Sequence, residues 1–176
     1  MNLDLEAKAQ KIKLVAFDID GVMTDGSLTW DENGVEYKTF NAKDGQGIVM
    51  LNNAGFKTAI ITARDNPTVK IRAEILHITK LHYGSIDKRA SLDELISEFN
   101  LKYDEVAYMG DDIPDICVLR EVGISACPSD AVDEVKSICN FVSTKNGGRG
   151  AVRELCNYIL KANKINPLDV AKGMKR

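Results

Sequence analysis

The sequence predicts a doubly wound, mostly parallel α/β sheet with a β-hairpin insertion, and three observations predict it. Short apolar runs alternate with helical periodicities along most of the chain. The runs are largely unbroken, as strands covered on both faces require. Clusters of polar, chemistry-bearing residues follow the runs directly. Strand, helix, strand in repetition implies right-handed crossovers and helices on both sides of the sheet.

In chain order, strands are expected at 14–17, 57–62, 81–83, 106–109, 123–126 and 141–143. Helical patterns fit 45–53, 67–77, 113–122 and 131–138, and two more show the i, i+3, i+4, i+7 spacing of an amphipathic helix: Leu92, Leu95, Ile96, Phe99 and Val152, Leu155, Cys156, Ile159. The stretch 27–40 breaks the alternation. Its Asn33-Gly34 pair between alternating residues predicts a hairpin with a two-residue type I′ turn. The apolar face of that hairpin would be Leu28, Trp30, Val35 and Tyr37. From Asn163 to the end the chain is basic and weakly patterned, and a mobile tail is expected there.

Composition excludes several classes. The 176 residues fit one domain over 1–176. Lys and Arg number 23 against 26 Asp and Glu, a net charge of −3, which argues against general nucleic-acid binding. No apolar run exceeds four residues, against ~20 for a bilayer span, and the amino terminus lacks the apolar core of a secretory signal. No membrane partner is expected. Cys117, Cys127, Cys139 and Cys156 form no Cys-x-x-Cys pair and read as buried thiols of a cytoplasmic protein. His77 and His82 read as structural.

Ligands of an open parallel sheet bind beyond the carboxyl ends of its strands. There the sequence places Asp18 and Asp20, then Thr62, then Lys88, then Asp111, Asp112 and Asp115. So many carboxylates at one edge repel one another unless a hard cation lies among them, and Mg²⁺ takes one or two carboxylates plus substrate phosphate oxygens. An aspartate beside such an ion can attack phosphorus, and an acid two residues on can protonate the leaving alcohol. A hydroxyl and an ammonium would hold the remaining phosphoryl oxygens.

Asp18-Ile-Asp20-Gly-Val, the terminal Thr62, Lys88 and Gly110-Asp-Asp-Ile-Pro-Asp115 resemble the four motifs of the haloacid dehalogenase superfamily phosphatases. Asn41-Ala-Lys-Asp-Gly-Gln-Gly-Ile48 and Asn146-Gly-Gly-Arg-Gly-Ala-Val-Arg-Glu154 extend the resemblance to the small capless subfamily acting on 3-deoxy-D-manno-octulosonate (KDO) 8-phosphate. The resemblance implies a Rossmann-like sheet with a hairpin flap and no cap domain, and Mg²⁺ as cofactor. It makes Asp18 the nucleophile and Asp20 the general acid/base. The Asp18 side chain, the Asp20 carbonyl and Asp111 would hold the metal; Asp112 and Asp115 would orient its waters or Lys88. Asn41, Lys43, Asp44 and Gly45 would contact substrate, sometimes across a subunit boundary, and Arg149 would lie near the mouth of a neighbouring site. It further implies a homotetramer joined through its hairpins, and a place in lipopolysaccharide precursor synthesis.

Spacing points the same way. Asp20 to Gly45 spans 25 residues and Thr62 to Lys88 spans 26, too few for a lid domain of ~50 residues or more. A neighbouring subunit is therefore expected to close the site. A sugar acid offers a carboxylate far from its phosphate, for which a guanidinium is the natural partner; Arg64 is best placed, and Arg72 is a second candidate. A nine-carbon sialic-type sugar 9-phosphate is the alternative substrate, and a phospho-accepting receiver domain the alternative of another class.

Overall fold

The computed structural model describes residues 3–171. Six strands form one parallel sheet: β1 (Leu14–Phe17), β4 (Lys57–Ile61), β5 (Lys80–His82), β6 (Val106–Met109), β7 (Ile124–Cys127) and β8 (Phe141–Val142). Their spatial order is β5-β4-β1-β6-β7-β8. The chain winds outward from β1 to β5, then returns to β6 on the other side of β1. That reversal opens a crevice at the carboxyl end of β1.

Alternation within the strands builds two apolar layers. Val15 and Phe17 of β1 join Ile60, Met109 and Ala126 beneath α1 (Leu3–Ala9), α2 (Ala42–Asn53), α3 (Pro67–Ile75) and α7 (Ala151–Ala162). Leu14 and Ala16 point the other way, to Ile61, Tyr108 and Cys127 under α4 (Lys88–Phe99) and α5 (Ile116–Leu119). All four β1 residues are inaccessible to solvent, so the first strand is fixed on both faces. Glycine sets the closest helix approach: a Cβ at Gly47 of α2 would come within 3.0–3.2 Å of Arg153 and within 3.2 Å of Cys156 on α7.

The doubly wound fold and its six parallel strands are as expected, with edges differing by a residue or so. Four details outside the hairpin differ. The helix expected at 113–122 is a 3₁₀ turn, Ile113–Asp115, followed by the single turn of α5, because Asp112 and Pro114 set a turn at its start. The helix expected at 131–138 shrinks to α6 (Asp133–Lys136). The segment from Asn163 is ordered up to 171: Ile165 and Val170 pack on the core, Asn53 Nδ2 donates to Val170 O, Gln46 Nε2 donates to Ala171 O, and α8 (Pro167–Val170) forms. The remainder of the expected tail, 172–176, lies outside the described residues. Finally, Cys117 is exposed and Cys139 only half-buried, whereas Cys127 and Cys156 are buried; all four cysteines are free.

The hairpin departs most instructively. β2 (Thr29–Trp30) and β3 (Glu36–Tyr37) pair antiparallel, but Asn33 keeps a negative φ and only Gly34 is left-handed (φ +77°). Gly34 N donates to Asp31 O, and Asp31 N to Val35 O. This is a three-residue loop with a glycine bulge, favoured by Asp31 Oδ1 accepting from both Asn33 N and Val35 N. The extra residue slips the register by one, so Trp30 faces Glu36 and Thr29 faces Tyr37. Leu28 and Trp30 therefore share a face with Glu36 and Lys38, while Val35 and Tyr37 lie on the other. The expected single apolar face does not exist, and two charged side chains are turned toward the sheet edge instead.

Candidate active site

A cleft of about 420 Å³ lies over the carboxyl end of β1, lined by Asp18, Asp20, Gly21, Leu28, Thr62, Arg64, Lys88, Asp111, Asp112 and Asp115 among others. A larger groove of about 540 Å³ at the opposite edge carries Lys13 and Lys57 but no carboxylate. Chemistry, not size, marks the site.

Asp18 follows β1 directly, its N–H donating to Met109 O at 3.0 Å. Lys88, first residue of α4, brings Nζ to 3.0 Å from Asp18 Oδ2 and 2.6 Å from Asp115 Oδ1, with its side chain 5% exposed. Asp115 is saturated: one oxygen accepts from Lys88 and the Tyr108 hydroxyl, the other from the N–H groups of Asp111 and Asp112. A Cβ on Gly110 would lie 2.4 Å from the Asp115 carboxyl carbon, so only glycine admits that carboxylate. Asp112 is exposed and accepts from Ile113 N, so orienting Lys88 falls to Asp115. Thr62 is buried at the end of β4.

Burial, then repulsion from Asp115, raise the Asp18 carboxyl to about 7 against the pull of Lys88. Burial, then Asp18 and Asp115, raise Asp111 to about 8. Burial works to lower Lys88, but Asp18 and Asp115 outweigh it and hold the ammonium charged above its ordinary value.

One oxygen each of Asp18, Asp111 and Asp115 lies within 4.8 Å of the others. Asp111 Oδ1 is buried without a hydrogen-bond partner, while both Asp115 oxygens are engaged. Asp111 Oδ1 is thus the unpartnered acceptor; Asp18, which accepts from Lys88 and from the Ile19 N–H, keeps lone pairs beside it, and the two carboxylates fit a hard divalent cation. Gly21 (φ +82°) shapes this corner, since a Cβ there would stand 2.0 Å from Asp111 Oδ2.

Asp20 sits on the rim. It is paired with Lys38 Nζ at 2.5 Å and with Arg64 Nε at 3.4 Å. Glu36 bridges the same two cations, 3.0 Å from Lys38 and 3.4 Å from Arg64. Neither Glu36 nor Lys38 stood out in the sequence; the signal was the bulged hairpin register that turns both inward.

Several expected substrate residues do not line this cleft. Asn41 caps α2, accepting from Lys43 N and Asp44 N, and donates to Gly148 O. Asp44 is buried and accepts from Gly150 N and Arg153 N, tying α2 to α7. Arg72 donates to Asn41 O and lies so close to Gly45 that a Cβ there would meet its Nη2 at 2.2 Å. Lys43 is exposed away from the cleft, and Arg149 pairs with Asp25. Gly147 and Gly148 press on the backbone of Gly21 and Thr24, bracing the loop after Asp20 rather than cradling a phosphate.

The haloacid dehalogenase-like hydrolase family matches residues 68–155. The 3-deoxy-D-manno-octulosonate 8-phosphate phosphatase KdsC of Escherichia coli BL21-DE3 is 38% identical over 173 residues, covering 98% of this chain and 91% of its own. The chain belongs to the haloacid dehalogenase-like hydrolases. Among solved structures, a probable YrbI family phosphatase from Pseudomonas syringae superimposes with TM-score 0.92 at 44% identity, covering 97% of this chain and 96% of that one. The KDO 8-phosphate phosphatase of Moraxella catarrhalis, solved with magnesium, phosphate and KDO, gives TM-score 0.91 at 36% identity over 93% and 94%. The relatives so named are phosphoric monoester hydrolases, the class expected of this chain, and the receiver reading is not favoured. No helix among the described residues is long and apolar enough to cross a membrane.

Proposed function

We propose that this hydrolase is a Mg²⁺-dependent phosphatase converting KDO 8-phosphate to KDO and phosphate through an aspartyl-phosphate on Asp18. The observation that carries the chemistry is the pairing of Asp18 with a buried, unpartnered Asp111 oxygen on one side and Lys88 on the other. Mg²⁺ between Asp18, the Asp20 carbonyl and Asp111 would neutralise the phosphoryl oxygens against the approaching carboxylate. An Asp18 oxygen forms the new bond to phosphorus as the ester P–O bond breaks, and Asp20 delivers a proton to the departing sugar oxygen. Asp20 then takes a proton from water, whose oxygen attacks the acyl phosphate and returns Asp18 as a carboxylate. Lys88 and Thr62 hold the equatorial oxygens, and Asp115 holds Lys88.

The eight-carbon acid is favoured by Arg64 on the rim beside Asp20, and by the substrates named for the relatives above. This substrate would place the enzyme in cytoplasmic lipopolysaccharide precursor synthesis. We read the assembly as a homotetramer in which a neighbour covers the open cleft and the exposed Lys43 and Arg149 serve adjoining subunits. Phosphate release across a panel of sugar phosphates, wild type against Arg64→Glu, tests the substrate: a strong preference for the sugar acid, lost in the variant, is expected. Equal turnover of neutral hexose phosphates by the wild type would overturn it.

A further inference from the structure

Asp20, Lys38, Glu36 and Arg64 close a ring of alternating charge at the mouth of the cleft, each carboxylate touching both cations. The ring joins three separate pieces of chain: the turn after β1, strand β3 with the residue following it, and the loop after β4. Its two halves differ in tightness. The Lys38 side chain is 1% exposed and holds Asp20 at 2.5 Å and Glu36 at 3.0 Å. The Arg64 side chain is 42% exposed, and both of its bonds to Glu36 are 3.4 Å long, at the weak end of the hydrogen-bond range. Lys38 is thus the fixed counter-ion of Asp20, whereas Arg64 is held by a partner it can exchange cheaply for another carboxylate of better geometry.

We propose that Glu36 is a built-in stand-in for the substrate carboxylate: it occupies Arg64 in the free enzyme, yields it to the sugar acid, and reclaims it as the product leaves. The inference rests on the sugar-acid reading above. Its chemical purpose lies in the position of Arg64. Without Glu36 the guanidinium, left with only its 3.4 Å contact to Asp20, would capture a phosphate group or retain the carboxylate product. A tethered carboxylate prevents both, while costing the true substrate only part of its affinity. Glu36 is accordingly a specificity-determining residue that touches no reacting atom, and Lys38 keeps Asp20 in place while the exchange occurs.

Steady-state kinetics of Glu36→Gln with Mg²⁺ test this, using KDO 8-phosphate and glucose 6-phosphate. Removing the competitor is expected to lower KM for the sugar acid phosphate about three- to tenfold, and to tighten inhibition by free KDO by the same factor. KM for glucose 6-phosphate, which does not draw on Arg64, should move less than twofold. In an Arg64→Gln background the Glu36→Gln effect on the sugar acid should vanish, a coupling that a merely structural Glu36 would not produce. A higher KM for KDO 8-phosphate in Glu36→Gln, or parallel changes for both substrates, overturns the inference while leaving the substrate reading intact. Failure of the wild type to prefer KDO 8-phosphate over glucose 6-phosphate instead removes the substrate reading, and this inference with it.

Discussion

The Lys88 ammonium stands 3.0 Å from Asp18 Oδ2, in a pocket where the lysine side chain is 5% and the aspartate side chain 11% exposed. A cation so placed does two things. It opposes the burial that pushes the Asp18 carboxyl up, and on the proposed mechanism it would hold the equatorial oxygens of a bound phosphoryl group.

Lys88→Met should therefore lower kcat/KM by about 10²–10³, the usual effect of removing one preorganised donor. Asp115→Asn should act through the same lysine, since it weakens the 2.6 Å contact that aims Nζ. Steady-state hydrolysis of p-nitrophenyl phosphate with Mg²⁺ measures both. A Lys88→Met enzyme within threefold of wild type would contradict the assignment.

The carboxylates give the metal-free protein a pH dependence of definite sign. Asp18 is raised to about 7 and Asp111 to about 8, from an ordinary value near 3.8. A group whose pKa rises on folding stabilises the fold below its unfolded value, and that contribution is lost as pH climbs through its folded value. In EDTA the wild type should lose stability between about pH 4 and pH 8 relative to Asp18→Asn. At pH 8.5 the variant should melt higher, by about 2–4 °C for each kcal/mol of repulsion relieved. Saturating Mg²⁺ should erase the wild-type deficit by binding the native state. Parallel melting curves for the two proteins across this range would show that the acids do not strain the fold.

Gly21 bears on the proposed metal site through space alone. Its φ of +82° and the 2.0 Å between a built Cβ and Asp111 Oδ2 leave no room for alanine without moving the carboxylate. Gly21→Ala should weaken Mg²⁺ binding about 10–100-fold, the range seen when a ligand's supporting contacts are disturbed. Titration calorimetry on the folded variant measures this, and unchanged affinity would refute it.

The strands and the carboxylates were readable because each follows from a local rule. Leu14–Phe17 is an unbroken apolar run, and Asp18 must leave the sheet where that run stops. Ordering of residues 164–171 was not readable, because Ile165 and Val170 find their partners on the far side of the sequence. Lys38 and Glu36 were missed for a subtler reason. Asn33-Gly34 admits two turns whose registers differ by one residue, and that single step decides whether Trp30 faces Tyr37 or Glu36. Asn41, Asp44 and Arg72 carry the right chemistry for a substrate, but Asp44 is spent on capping α7 and Arg72 on holding Asn41.

The hairpin makes the last prediction. Trp30 is 52% exposed on one face, Val35 53% and Tyr37 55% on the other, and each strand has only two paired residues. An isolated two-stranded ribbon is marginal in water, so contacts from outside the chain would supply what its own ladder lacks. Because the bulge divides the apolar residues between the faces, a partner covering one face leaves the other bare, as a ring of copies in which each hairpin meets two others would not. Trp30→Glu and Val35→Lys probe the faces separately. Each should lower the mass seen in sedimentation equilibrium at micromolar concentration, and each should cost activity in proportion, since the cleft loses its cover. A single interface would respond to one substitution and not the other, and a monomeric wild type with full activity would end the argument.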